Sequence, residues 1–335
     1  MNINICDNII VIKDNSPGIP YISETLAGYC NKVRSRIIPH IPNEITSQKQ
    51  FLYLYTKPSS SHCRVPVIVA PCNFFTFIEI YRHNSLLYLV NSPTCYSHHI
   101  TNDPDSAPNA LKWIRREYVN DIINISPLTV YNTNSAETPN YDYPNKLFTD
   151  DCKSTIDLVT CDDDSPTINK LLKHIAFALF IQKKGGSFIF KITETYTKQI
   201  IDIIVILMNL YSNVIIINTD TCDDLIIEHY IICIKFNGCN DKINDIFSNV
   251  LLDTKLALEL TIKIPHIIIN KIENFNSIVG QNKLFLMTNI NINNNIIYSE
   301  SKNKLDEEKN IKKCLAWCIK YCIPFNTMYS LNQTL

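Results

Sequence analysis

The chain has 335 residues, 46% of them hydrophobic, which suits one elaborated domain or two small ones around a sizeable core. Thirty-one Lys plus Arg against 32 Asp plus Glu leave a net charge of −1, so no global field draws it to nucleic acid or an acidic membrane, and any such contact must use a local patch. Only 6 residues are glycine, and neither GxxxxGK[ST] nor GxGxxG occurs, which excludes the usual phosphate-cradling loops.

The thirteen cysteines are odd in number and form no CxxC pair, and Asp7 interrupts the early apolar stretch. Reduced cytosolic thiols and no secretory leader are therefore expected. The apolar run 200–211 carries Asp202 and falls short of the roughly 18 residues of a membrane span, so a soluble, cytoplasmic protein without a membrane partner is expected.

From about residue 65 to 238, short apolar runs alternate with amphipathic stretches, the βαβ pattern of a mostly parallel sheet covered by helices. In chain order, residues 65–70 read as a strand, 74–82 as a helix, 86–90 as a second strand and 91–107 as turns. A helix over 109–120 and a third strand over 128–131 follow, then a surface loop rich in Asn, Thr, Pro and Tyr over 132–144. Residues 156–161 form a strand that runs into Asp162, Asp163 and Asp164, and 167–183 form a helix with Leu171, Leu172, Ile175, Ala178 and Leu179 on its apolar face. Gly185-Gly186 reads as a break before a strand over 187–192. A helix over 196–211, a strand over 214–218 and an antiparallel strand over 229–236 complete the pattern, and 240–335 turns helical, most clearly over 306–321.

Ligands bind outside the carboxyl ends of the strands in such a sheet. Asp162 and Lys191 end strands there, and Glu228 begins an antiparallel one at the same edge, so a carboxylate, an ammonium and a second carboxylate converge on one rim. Asp162 alone reads as a turn or cap residue. Lys191 stands inside an apolar strand, where an ammonium needs a carboxylate partner.

These residues resemble a family. Asp157-Leu158-Val159-Thr160-Cys161-Asp162, Gly185-Gly186-Ser187-Phe188-Ile189-Phe190-Lys191 and Glu228-His229-Tyr230-Ile231-Ile232-Cys233 resemble segments of the FtsJ-like (RrmJ-type) ribose 2′-O-methyltransferases, most nearly the mRNA cap-1 enzymes of eukaryotes and viruses. Upstream, Cys30-Asn31-Lys32-Val33-Arg34-Ser35-Arg36 is similar to their Arg-rich lead segment, and residues 311–324 to a C-terminal helix of viral members. The resemblance implies an α/β, Rossmann-like methyltransferase fold: a seven-stranded, mostly parallel sheet with its last strand antiparallel. It implies an N-terminal segment (1–60), a methyltransferase domain (61–240) and a C-terminal helical extension (241–335). It also implies S-adenosylmethionine as cofactor, RNA and specifically capped mRNA as substrate, other capping or transcription subunits as partners, and a cytoplasmic, viral-factory or virion location.

The family's Lys-Asp-Lys-Glu tetrad activates a ribose 2′-hydroxyl, a Lys losing its proton to act as base. By resemblance Asp162, Lys191 and Glu228 are its second, third and fourth members. Lys57 is the candidate for the first, with Tyr55 the alternative occupant. The cofactor loop falls on Ala70, Pro71, Cys72, Asn73 and Phe74, with Asp162 beside it, and Arg34 and Arg36 are the RNA-binding candidates.

The departures concern the ligand loops. Cys72 and Asn73 stand where the family has glycines, so a left-handed turn at Asn73 and an obstructing Cys72 side chain are expected. Asp163-Asp164 replaces a Gly-Gly pair, and Thr221-Cys222-Asp223-Asp224 lacks an RNA-facing cation. An active 2′-O-methyltransferase and a catalytically silent subunit, a pseudoenzyme, are both compatible with this pattern. Elsewhere, His98-His99 reads as a surface pair, Lys112, Arg115 and Arg116 as a solvated helix face, and Cys314, Cys318 and Cys322 as buried small residues on one helical face. No metal site is expected.

Overall fold

The computed structural model describes residues 8–13, 20–28, 73–126, 128, 154–163, 167–221, 228–252, 256–294, 312 and 315–323. Strand β1 (Ile9–Lys13) pairs antiparallel with β8 (Leu256–Leu260), which joins two distant parts of the chain in a small two-stranded sheet. The main sheet contains β2 (Tyr96–Ile100), β3 (Ile122–Ser126), β4 (Ile156–Cys161), β5 (Gln182–Ile192), β6 (Tyr211–Ile217) and β7 (His229–Phe236). Its order is β3-β2-β4-β5-β7-β6, with β7 antiparallel to both neighbours and the other pairings parallel. Seven strands were expected and six are described; the strand expected over 65–70 lies outside the described residues.

One other expected strand is corrected. Residues 84–86 form a 3₁₀ turn that runs into α2 (Leu87–Val90). Leu86, Leu89 and Val90 are buried while Leu87 and Tyr88 are exposed, an i, i+3, i+4 pattern; a five-residue apolar run satisfies either period, and here the helical one won. Of the strand expected over 128–131 only Leu128 is described, in a helical turn after β3 has ended at Ser126; the rest lies outside the described residues. The stretch read as turns contains β2.

The helices cover both faces. One face carries α1 (Phe74–Tyr81), α2, α3 (Ala107–Ile114) and the helical residues 315–321, whose apolar side chains meet Leu158, Ile189, Tyr230 and Ile232 of the sheet. The other carries α4 (Ile168–Ile181), α5 (Lys198–Leu210), α6 (Asp241–Leu252) and the first part of α7 (His266–Asn294), packed on Val159, Cys161, Phe188, Phe190, Ile231 and Cys233. Alternate residues of each strand serve opposite faces, as the pleat requires. Among the described residues no helix is long and apolar enough to cross a membrane.

Thr167 caps α4 through its hydroxyl, which accepts from Lys170 N, and the chain passes from Ile181 straight into β5. Gly185-Gly186 is therefore no stop. It lies in an irregularity of the β4–β5 pairing, between Ile156↔Gln182 and Leu158↔Ser187. A Cβ on Gly186 would stand 3.0 Å from the Ile156 carbonyl oxygen, and Gly185 has φ +85°. Close backbone approach and a left-handed turn require the pair.

Arg115 corrects another expectation. It is 1% exposed; its guanidinium donates to both oxygens of Asp121 at 2.6 Å and to the carbonyls of Leu89 and Val90 at 2.9 and 2.7 Å. It ties the end of α3 to the last carbonyls of α2 and is no part of a solvated helix face. Arg115→Lys keeps the charge and loses the planar fork, so we expect urea denaturation to show a loss of about 2 kcal/mol, the scale of a charged hydrogen bond. An unchanged midpoint would remove this role. Cys318 is buried in the core, whereas Cys322 is exposed, past the helical residues at φ +55°, so these two do not share a helical face.

Candidate active site

Strand register builds the rim. Cys161 pairs with Phe190, so Asp162, one residue beyond β4, comes beside Lys191, next to last in β5. Lys191 in turn pairs with Tyr230, two residues after Glu228. Asp162, Lys191, Glu228 and Tyr230 share the parity of Leu158, Ile189 and Ile232, which face α1, so all four belong to that face. The backbone N–H of Asp162 donates to Ile100 O at 3.1 Å and carries the β2–β4 pairing one residue further.

The Lys191 ammonium donates to Glu228 Oε1 at 2.8 Å, its side chain fully buried and that of Glu228 10% exposed. Asp162 is 6% exposed. It accepts from the Asn73 side-chain amide at 3.1 Å (Oδ1) and 2.9 Å (Oδ2), and from the Tyr230 hydroxyl at 3.3 Å (Oδ1). The Tyr230 ring packs edge-on against Phe77 of α1, centroids 5.6 Å apart. The structure thus brings Asp162, Lys191 and Glu228 together at one end of the sheet. Lys57, Ala70, Pro71, Cys72, Arg34 and Arg36 lie outside the described residues.

Asn73 and Phe74 are described, and they behave unlike a glycine loop. Phe74 is fully buried as the first residue of α1. Asn73 is the N-cap of α1 at φ −71°, so the left-handed turn expected there is corrected: this backbone needs no glycine. What the residue adds is a side chain, and that side chain is engaged with Asp162. Of the loop at which the resemblance implies S-adenosylmethionine, only Asn73 and Phe74 are described, and the Asn73 amide donates to Asp162, the acid beside it.

A second set of bonds fixes α1. The Glu79 carboxylate accepts from Asp220 N at 2.9 Å, from the Trp317 indole at 3.2 Å and from the Thr221 hydroxyl at 3.5 Å. Burial raises the Glu79 carboxyl above its ordinary value, the Asp220 and Trp317 bonds opposing it. Trp317 also meets Phe75 edge-on, centroids 5.8 Å apart. One helix thus carries Asn73 at the rim and anchors both the segment after β6 and the C-terminal helical residues.

His98 and His99 are buried, which corrects the surface reading. They lie on an interior strand whose alternate residues serve opposite faces. His98 Nε2 is 2.9 Å from Ser126 Oγ; His99 Nδ1 is 2.7 Å from Thr160 Oγ1 and its Nε2 3.0 Å from Ser97 Oγ. Burial holds His98 down at about 4 and His99 at about 3, so both rings are neutral near pH 7. Cys161, 3.1 Å from His174 Nδ1, is no nucleophile: burial, then Asp163 and Asp162, push its thiol well above the ordinary value.

Tyr230 and the side-chain role of Asn73 were not anticipated from sequence. For Tyr230 a signal existed, since Glu228 and Tyr230 are two apart in a strand and so share a face. For Asn73 the resemblance placed the residue beside Asp162, 89 residues away, but as loop backbone and not as a side-chain donor.

No family model and no curated protein sequence matches the chain. Among solved structures it is similar to the selenomethionine-substituted CurJ carbon methyltransferase, at 8% identity and TM-score 0.27, over 48% of this chain and 58% of that one. It is also similar to human methyltransferase-like protein 13 in complex with SAH, at 12% identity and TM-score 0.30, over 54% of this chain and 88% of that one. Similarity this slight assigns neither fold nor activity, and the rim has to be read from its own side chains.

Proposed function

We propose that this chain is a methyltransferase-like protein of the ribose 2′-O class, built to use S-adenosylmethionine and acting on RNA, the mRNA cap being its target. The observation that carries the reading is the convergence of Asp162, Lys191 and Glu228 on one rim, in the order the resemblance to the FtsJ-like enzymes implies, with Lys191 paired to Glu228 at 2.8 Å. The antiparallel last strand β7 of a mostly parallel sheet accords with it. An N-terminal segment over 1–60, a central domain over 61–240 and a C-terminal extension over 241–335 belong to the same reading; the described part of 241–335 holds a strand, β8, besides helices. Work in a cytoplasmic or viral-factory setting beside other capping subunits belongs to the same reading.

A second reading, a catalytically silent subunit that binds RNA or a partner in a capping or transcription complex, has its own observation. The ammonium that would act as base is fully buried, and the acid beside it is engaged by Asn73. Calorimetric titration of the full chain with S-adenosylmethionine and, separately, with capped RNA distinguishes the two. We expect capped RNA to bind and S-adenosylmethionine to bind more weakly than about 100 µM, equivalent to roughly 5.5 kcal/mol. Low-micromolar cofactor binding would restore the active enzyme, provided methyl transfer to capped RNA also disappears in Lys191→Arg, which keeps a cation and cannot deprotonate. Binding of neither ligand would remove both readings.

A further inference from the structure

We propose that the free edge of β6 is a docking site for an extended acidic peptide, which adds a strand to the main sheet and lies against α7. The proposal rests on the edge of the sheet and not on the rim, so its failure leaves the methyltransferase reading as it stands.

Among the described strands β6 ends the main sheet, bonded to β7 alone. Beside it a half-open cleft of about 540 Å³ runs between α5, β6 and α7, within the roughly 300 to 1,000 Å³ of ordinary ligand sites. Ile204, Ile268 and Ile272 line it from the buried side, and Met208 and Ile267, 43% and 58% exposed, from the solvent side. Its strand wall is residues 212–216 without a gap. Alternate side chains of a strand point to opposite faces, and here Val214 and Ile216 pack with one core while Ile215 packs with the other. An unbroken run therefore meets the cleft along the backbone edge, where alternate residues turn N–H and C=O away from β7. An extended peptide satisfies those groups while its side chains fill the apolar cleft; a hydrocarbon ligand leaves them unmet.

The walls match in length. Residues 212–216 extend about 14 Å at roughly 3.4 Å per residue, and 267–275 on α7 about 12 Å at roughly 1.5 Å per residue, so the cleft spans about four extended residues. Sheet edges are commonly guarded by charged residues or proline. β6 reads Tyr-Ser-Asn-Val-Ile-Ile-Ile and carries neither. The charge of the cleft selects the occupant. Among the described residues its lining holds one charged group, the exposed Lys271, and no carboxylate. A second copy docked edge to edge about a two-fold axis brings another Lys271 to the same interface, whereas an acidic peptide brings the missing counter-charge.

The test uses the full chain and three heptapeptides: alternating Val and Glu, alternating Val and Lys, and the Val and Glu peptide N-methylated at every backbone amide. We expect the acidic peptide to shift the amide NMR signals of residues 212–216 and 267–275, with a dissociation constant of about 1 mM or tighter. The basic peptide should bind about fivefold more weakly, the scale of one exposed ion pair. The N-methylated peptide, which cannot pair, should bind at least about tenfold more weakly. Lys271→Glu, a change at an exposed position, should reverse the order of the acidic and basic peptides. The proposal is overturned if the N-methylated peptide binds as tightly as its parent, if Lys271→Glu leaves the order unchanged, or if the acidic peptide does not bind. It is also overturned if dodecanoate shifts these signals and the acidic peptide does not, or if the 212–216 signals of the free chain shift with its own concentration, as a second copy on the edge requires.

Discussion

Lys191→Met will lower the unfolding free energy by about 3 to 5 kcal/mol, the cost of breaking a buried ion pair by removing one partner. The side chain is fully buried and its ammonium lies 2.8 Å from Glu228 Oε1. Removing it leaves the Glu228 carboxylate largely out of water without its counterion, on the same sheet face as Asp162. Methionine fills similar volume, so the loss reports charge and not a cavity. Glu228→Gln in the same chain removes the stranded charge and should recover more than half of the loss, because replacing both members of a buried pair is far milder than replacing one. Urea denaturation of the two single variants and the double variant completes the cycle. A loss under about 1 kcal/mol for Lys191→Met, the scale of an exposed pair, would show that the ammonium is solvated and the cluster open. The effect is independent of catalysis, so it holds for an enzyme and for a silent subunit alike.

The rim was legible in the sequence because strand arithmetic fixes it. Asp162, Lys191 and Glu228 stand at strand ends, the strands are continuous apolar runs, and a cation inside such a run demands a partner. The β7 bounds were readable for the same reason, since 229–236 is one nearly unbroken apolar segment in which Lys235 is the exposed exception. What failed was what depends on distant contacts or on short runs. Nothing near residue 9 announces that β1 will pair with β8 some 250 residues later, with Ile9 opposite Leu260. Residues 86–90 suit helix and strand equally, and packing of Leu86, Leu89 and Val90 decided. Arg115 looked like a solvated cation on a helix. Only Asp121 and the carbonyls of α2, brought to it by the fold, make it a buried residue. Asn73 was read for what its backbone would permit; the structure uses its side chain.

Acid should destabilise this protein from pH 7 downward, and steeply. Burial holds His98 at about 4, His99 at about 3 and His174 at about 3, against about 6.5 in an unfolded chain. Each ring is neutral when folded, so its contribution is fully present above pH 6.5 and is lost as pH falls from there toward the folded value, because the unfolded state takes up the proton first. In that window each histidine costs up to about 1.4 kcal/mol per pH unit, so the three together amount to on the order of 6 kcal/mol at pH 5, comparable with the whole stability of a typical domain. Glu79 and Asp202 act in the opposite direction. Burial raises both carboxyls when folded, so they take up protons before their unfolded counterparts do and return some stability on the acid side. Urea midpoints between pH 7.5 and 5 should therefore fall throughout, more steeply below pH 6.5. His99→Gln retains hydrogen-bonding groups toward Thr160 and Ser97 without a titrating ring. It should flatten the slope by about one third of the histidine effect; a midpoint constant from pH 7 to 5 in the wild-type chain would mean that these rings meet water and that the β2–β4 interior is not closed.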